Sequence, residues 1–159
     1  MKRRQRTRTL ARPAPPQQLP PALRCFAPKL SASQRRDLGI CHLENLDAIA
    51  KGEACPDVLW HWVGGTLTWC SVAVSLERGL DEMQQQAHLV EAVVERFKQT
   101  GRIVFTGPEY QAAKHGVDLM DELARIVDRP TAVAAAEWSE EQLQHIVATV
   151  AQSAPRAQA

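Results

Sequence analysis

Aromatic side chains are scarce in this sequence of 159 residues, since Phe, Trp and Tyr together make up 5% of it. Strands are enriched in aromatic and β-branched residues, whereas Ala, Leu, Glu and Gln, which are plentiful here, favour helices. The composition therefore predicts an all-α fold, a bundle of about five helices. A chain of this length is also large enough to bury one sizeable hydrophobic core.

Signals for metal binding and for secretion are both missing. Cys25, Cys41, Cys55 and Cys70 stand 14 to 16 residues apart, with no Cys-x-x-Cys pair and no short Cys–His spacing typical of a zinc site. The basic residues at the start are not followed by an apolar segment, so no signal peptide is predicted. We therefore expect a cytoplasmic protein with reduced, mostly buried thiols and with neither metal nor cofactor.

Catalytic motifs are missing as well. The sequence has no Gly-x-Ser-x-Gly, no His-Glu-x-x-His and no Walker phosphate loop. A diiron bundle would need inward-facing Glu-x-x-His motifs, whereas Glu91 and Glu141 fall on polar helix faces. His61, which stands between two tryptophans, is interpreted as a core or interface residue with a satisfied imidazole. The sequence thus predicts a protein that is not an enzyme.

Charged residues are absent from Val58 to Leu76, VLWHWVGGTLTWCSVAVSL. A helix that is apolar on nearly every face must be surrounded by protein or by lipid. The Gly, Thr and Ser residues of the stretch and the lack of basic clusters beside it argue against a bilayer and favour the central helix of a bundle. A buried indole needs a partner for its N–H, so we expect part of the tryptophan group to lie at a rim or a subunit interface. That group consists of Trp60, Trp62 and Trp69.

Acidic residues are absent from the first 36 positions, which hold ten Lys or Arg, while the other 123 residues hold nine Lys or Arg and all 18 acids. Five prolines follow the basic start, so residues 1–32 are predicted to form a disordered, extended arm. Each basic side chain could neutralise a phosphate of a nucleic acid. A solvated tail without function, or a start codon placed too early, would explain the same residues. The predicted nucleic-acid contacts are Lys2, Arg3, Arg4, Arg6, Arg8, Arg12, Arg35 and Arg36.

The helical domain is predicted over residues 33–151, followed by a frayed tail over residues 152–159. Its first helix should begin near Ser31 or Ser33 and end at Lys51, and Pro56 should begin the central helix. The inner stripe of the first helix is predicted to be Leu38, Cys41, Leu43, Leu46, Ile49 and Ala50.

Two later stretches repeat apolar residues at a spacing of 3, 4, 3, 4, 3, which is typical of helices packed in a bundle. A capping box at Thr106 begins the second of these helices, which should end at Arg129, and Ser139 should begin the last helix. The segment between the two stripes, residues 102–105, is predicted to be an extended apolar plug. The stripes are Leu80, Met83, Ala87, Val90, Val94 and Phe97, then Tyr110, Ala113, Val117, Met120, Ala124 and Val127.

Residues 80–146 resemble a family of short bacterial proteins of prophages, plasmids and other integrated elements. The resemblance is carried by Phe97, Thr100-Gly101-Arg102, Thr106-Gly107-Pro108, Gln111-Ala112, Leu119 and Leu123. Some members are labelled Fis-like transcriptional regulators, so the resemblance implies transcription regulation. A Fis-like protein ends in a basic helix-turn-helix, whereas the last helix here, SEEQLQHIVATV, has no Lys or Arg.

These observations predict a non-enzymatic accessory or regulatory protein of a bacterial mobile element. The basic arm would contact nucleic acid, while the body would form a dimer through the tryptophan-rich helix or the two regular stripes. The alternative is an inhibitor or adaptor whose acidic body binds a protein partner. Neither interpretation includes a membrane.

Overall fold

The computed structural model describes residues 27–153, and within them it confirms the all-α prediction. The first 26 residues of the predicted arm and residues 154–159 of the predicted tail lie outside the described residues. Five helices follow one another with short connections. They are α1 (Ala32–Lys51), α2 (Pro56–Leu76), α3 (Leu80–Thr100), α4 (Gly107–Ile126) and α5 (Arg129–Ser153).

The apolar helix α2 lies at the centre of the bundle and packs against each of the other four helices. Its buried residues are Leu59, Trp62, Val63, Thr66, Trp69, Ser71, Val72, Ala73 and Ser75. The hydroxyls of Thr66 and Ser75 donate to carbonyl oxygens of their own helix, so these two buried hydroxyls need no partner outside it. The prediction of a protein-surrounded central helix is therefore confirmed.

Helix α1 begins and ends as predicted, but its buried face differs. Ser31 and Gln34 form a reciprocal capping box, and Gly52 ends the helix with a φ of 72°. The buried residues are His42, Leu46 and Ile49. Because this face is rotated by about one residue from the predicted stripe, Leu43 is 53% exposed, and Leu38, Cys41 and Ala50 are exposed too.

The predicted stripes of α3 and α4 are buried or partly buried, with Leu80 as the one exposed member. Met83, Val90, Ala113, Met120, Ala124 and Val127 are buried. Leu80, at the start of α3, is exposed, and Gln86 is buried although it lies off the apolar line. The Gln86 side chain fits there because its Nε2 donates to the carbonyl of Ala112, 2.9 Å away, and because Gly116 has no Cβ.

The α3–α4 connection is held by contacts on both sides. Ile103 is buried, and Phe105 packs edge-on against Trp62 with ring centroids 5.2 Å apart, so residues 102–105 form the predicted plug. Arg96 donates to the Val104 carbonyl and to both carboxylate oxygens of Glu109. Glu109 also completes the predicted capping box with Thr106. One ion pair thus joins α3 to the first turn of α4.

Helix α4 ends at Ile126, and α5 begins at Arg129 instead of Ser139. The predicted boundaries were wrong because Pro130 lies in the first turn of α5, where its missing N–H costs no hydrogen bond. Asp128 lies just before the helix, and its Oδ1 accepts the Thr131 N–H at 2.8 Å. Ser139 is a buried residue within α5, with its Oγ 2.7 Å from Thr68 Oγ1 of α2.

Candidate functional site

An open, largely apolar groove lies between α1, α2 and α5. Its volume is about 520 Å³, which falls in the usual range for ligand and peptide sites. Most of the lining is apolar, and a few polar groups converge on it. The groove, called the α1–α5 groove below, is lined by Leu38, Cys41, His42, Glu44, Asn45, His61, Gly65, Thr68, Trp69, Val72, Ala132 and Ala136.

His42 is the buried polar residue at the floor of the α1–α5 groove, with 8% of its surface exposed. Its Nε2 accepts the indole N–H of Trp69 at 2.9 Å, which assigns the ring hydrogen to Nδ1. Burial lowers the pKa of His42 to about 4, so the imidazole is neutral at physiological pH. A Cβ on Gly65 would stand 2.5 Å from the imidazole Cε1, so Gly65 is what lets α1 approach α2 here.

The sequence reasoning chose His61 and missed His42. His61 is exposed at the groove edge, so it is not the core residue that was one of the two interpretations, and the interface interpretation stays a prediction. Position 42 stands four residues before Leu46 and seven before Ile49, and this helical spacing is the signal that could have identified it. The buried imidazole binds the Trp69 indole through its Nε2, so this ring nitrogen is already occupied.

The three cysteines of the described residues differ in how far their thiols are exposed. Cys41 and Cys55 are exposed, so the prediction of mostly buried cysteines is wrong for these two. Cys70 is largely buried, its Sγ lies 3.4 Å from the Met83 carbonyl, and burial raises the pKa of its thiol to about 12. Cys25 lies outside the described residues.

Two of the three predicted interface tryptophans are inside the chain. Trp62 and Trp69 are each 3% exposed, because both belong to the core between α2 and its neighbours. Trp60 is partly exposed and packs edge-on against Phe97 with centroids 6.1 Å apart. Trp62 and Trp69 therefore offer almost no surface to a second copy, and the predicted interface is reduced to Trp60.

The basic residues predicted to contact nucleic acid are placed only in part. Lys2, Arg3, Arg4, Arg6, Arg8 and Arg12 lie outside the described residues. Arg35 is half-buried and donates to the Leu30 carbonyl at 3.3 Å, whereas Arg36 is exposed. Both line a second groove, between α1 and α4, where Asp118 and Asp121 also lie. These carboxylates offset part of the positive charge, while Arg125, which pairs with Asp121, adds a third arginine to the same groove.

The chain before α1 is fastened to the start of α5. The Pro28 carbonyl accepts the Arg129 N–H at 2.7 Å. The backbones of Lys29 and Asp128 form an isolated antiparallel β-bridge, and the Lys29 ammonium donates to the Ile126 carbonyl. Leu30 is buried in the core. Residues 28–30 of the predicted arm therefore belong to the folded body, and whatever precedes them leaves from the α4–α5 corner.

The Thr-Gly-Arg and Thr-Gly-Pro motifs form the α3–α4 connection. Gly101 ends α3 with a φ of 69°, and Thr100 Oγ1 accepts the Arg102 N–H at 3.2 Å. Thr106 caps α4, whose first residues are Gly107 and Pro108. Turn formation thus accounts for these motif residues.

No family model matches the chain, and no curated protein and no solved structure is significantly similar to it. Among residues 27–153, no three His, Cys, Asp or Glu side chains are grouped as metal ligands. None of the helices in this part of the chain has the length and hydropathy needed to cross a bilayer.

Proposed function

We propose that this chain is a non-enzymatic accessory or regulatory protein of a bacterial mobile element, which contacts nucleic acid through its basic N-terminal arm and self-associates through its helical body. The division of charge carries the proposal. The 26 residues before Ala27 hold seven Lys or Arg and no acid, whereas residues 27–153 hold eleven against eighteen acids. The connection to a mobile element rests on the resemblance of residues 80–146.

The backbone contacts of residues 28–30 with the start of α5 support a role for the arm as a positively charged segment attached to the folded body. Because Pro28 and Lys29 bind the α4–α5 corner, the arm is joined to the acidic body at that corner. An acidic body resists adsorption along a nucleic acid, so contact is limited to the arm. Binding of this kind depends on salt and hardly on base sequence.

Deletion of residues 2–12 tests the arm. The six basic residues of this segment would release up to six counterions, so log K for a short duplex should fall with log[salt] with a slope of roughly −5. The deletion should bring binding and slope close to zero in a fluorescence anisotropy titration.

A matched control replaces Arg35 and Arg36 by Gln, since both lie beside carboxylates in the α1–α4 groove. This variant should keep most of the affinity and nearly the whole slope. Unchanged binding after the deletion of residues 2–12 would remove the arm from the proposed function.

The α1–α5 groove favours a second candidate function, an inhibitor or adaptor whose acidic body binds a protein. Its lining is mostly apolar around the buried His42, and the Asn45 amide at its edge makes no side-chain hydrogen bond to the described part of the chain. Leu38→Glu would place a charge in the groove without disturbing the core. A partner that is purified with the native chain and with the arm deletion, but not with Leu38→Glu, would support this candidate.

A further inference from the structure

An exposed stripe on α1 is left unexplained by the fold. Ile40 is 47% exposed and Leu43 is 53% exposed, although both are large apolar residues on the same side of one helix. Arg36 and Asp47 extend this side by one turn in each direction, at spacings of four, three and four residues, which is the pattern of a helix-pairing stripe. The stripe opens onto the α1–α4 groove, where Val117 adds apolar surface.

The two charges of the stripe have opposite signs and symmetrical positions. Arg36 and Asp47 lie equally far from the midpoint between Ile40 and Leu43. The Arg36 side chain is exposed and makes no ion pair or hydrogen bond to the described part of the chain, whereas the Asp47 side chain pairs only with Lys51, on an open surface. A twofold axis through that midpoint, perpendicular to the helix, would place Arg36 of one copy opposite Asp47 of the other, and Ile40 opposite Leu43.

From this symmetry we infer that the α1 stripe binds the same stripe of a second copy, with the two α1 helices antiparallel. Ile40 of each copy then packs on Leu43 of the other, and Arg36 of each copy faces Asp47 of the other. A parallel pair would instead bring the two Arg36 side chains together and the two Asp47 side chains together. An isologous interface of this kind closes on itself as a dimer. The inference specifies the self-association in the proposed function and rests on that function for its biological use.

The expected dimer is weak. A pair of helices of 20 residues with two large apolar side chains each buries less than a standard interface of roughly 1,200–2,000 Å². We therefore expect dissociation in the micromolar range, so the chain should be monomeric when dilute and dimeric when concentrated.

Sedimentation equilibrium of the full chain over a wide concentration range tests the inference. Leu43→Glu should raise the dissociation constant at least about tenfold, because the new carboxylate would meet an apolar partner. Val133→Glu is the matched control, since Val133 is an equally exposed residue (48%) on α5. Its dissociation constant should equal that of the native chain. A native chain that stays monomeric, a dimer that tolerates Leu43→Glu, or equal losses in both variants would overturn the inference.

Charge reversal tests the orientation, with circular dichroism to check that each variant folds. Arg36→Asp and Asp47→Arg should each weaken the dimer, because each places like charges opposite one another. The double variant should restore affinity, since the reversed charges again face opposite signs. Two single losses without restoration would overturn the antiparallel arrangement.

Measurements on the native chain and on the chain lacking residues 2–12 distinguish a failure of this inference from a failure of the proposed function. If the chain lacking residues 2–12 dimerises normally while the native chain fails to bind a duplex, the proposed arm contact is wrong and the dimer stands. If the native chain binds the duplex through its arm but stays monomeric, the dimer is wrong and the arm contact stands.

Discussion

Mild acid should destabilise this protein through one side chain, His42. Its pKa is held at about 4 in the fold by burial, against about 6.5 in the unfolded chain. The unfolded state therefore takes up a proton at a higher pH than the folded state does, and stability falls as the pH drops from about 6.5 towards 4. From the difference between these two pKa values, the free energy of unfolding should fall by about 2 kcal/mol between about pH 7.5 and pH 5.

Urea denaturation followed by tryptophan fluorescence at these two pH values measures the loss. His42→Gln should abolish most of it, because an amide does not titrate and its oxygen can still accept the Trp69 N–H. His61→Gln is the control, since His61 lines the same groove with its side chain exposed. Glu109, whose pKa is lowered chiefly by the hydrogen bond from Arg96, contributes at a lower pH, below about 4.5. An equal loss in His42→Gln and the native chain would refute the reasoning.

Gly116→Ala should cost about 1–3 kcal/mol of stability, because the added Cβ would stand 2.4 Å from Cδ of the buried Gln86 side chain. Gly39→Ala, where nothing lies within 4 Å, should instead stabilise α1 by up to about 1 kcal/mol in the same urea assay. Equal effects of the two variants would contradict the packing of α3 on α4. Cys70 should react with iodoacetamide at least about a hundredfold more slowly than Cys55, because only the thiolate reacts and burial disfavours it. Peptide mapping after a timed pulse measures this, and urea should remove the difference; equal rates in the native chain would contradict the burial of Cys70.

The sequence was sufficient for features whose signals are local. The capping residues Ser31 and Thr106 lie within one turn of the N–H groups that they bind, so their roles can be predicted without knowing the tertiary fold. The central position of α2 was predictable for a related reason, because a helix without a polar face has only one stable location in a soluble fold.

Features that depend on distant partners could not be predicted in this way. In α1 the apolar Leu43 was a better candidate for the core than its neighbour His42, but Trp69, 27 residues further along, supplies the hydrogen bond that makes burial of the imidazole tolerable. Pro130 has the same chemistry whether it ends one helix or begins the next. Pro130 begins a helix here because the Asp128 carboxylate accepts the Thr131 N–H and the Pro28 carbonyl accepts the Arg129 N–H. Pro28 comes from the other end of the chain, so its contact could not be predicted from the local sequence.

The length of α1 sets the distance between the two arms in the proposed dimer. Antiparallel pairing about a point between Ile40 and Leu43 places the two Ala32 residues at opposite ends of the pair, roughly 30 Å apart along the helix axis at 1.5 Å per residue. Equivalent sites on one side of a B-form duplex recur every ~34 Å. The starts of the two α1 helices would then lie nearly one helical repeat apart along the pair, so that under the proposed function the segments preceding them could contact adjacent turns of one duplex.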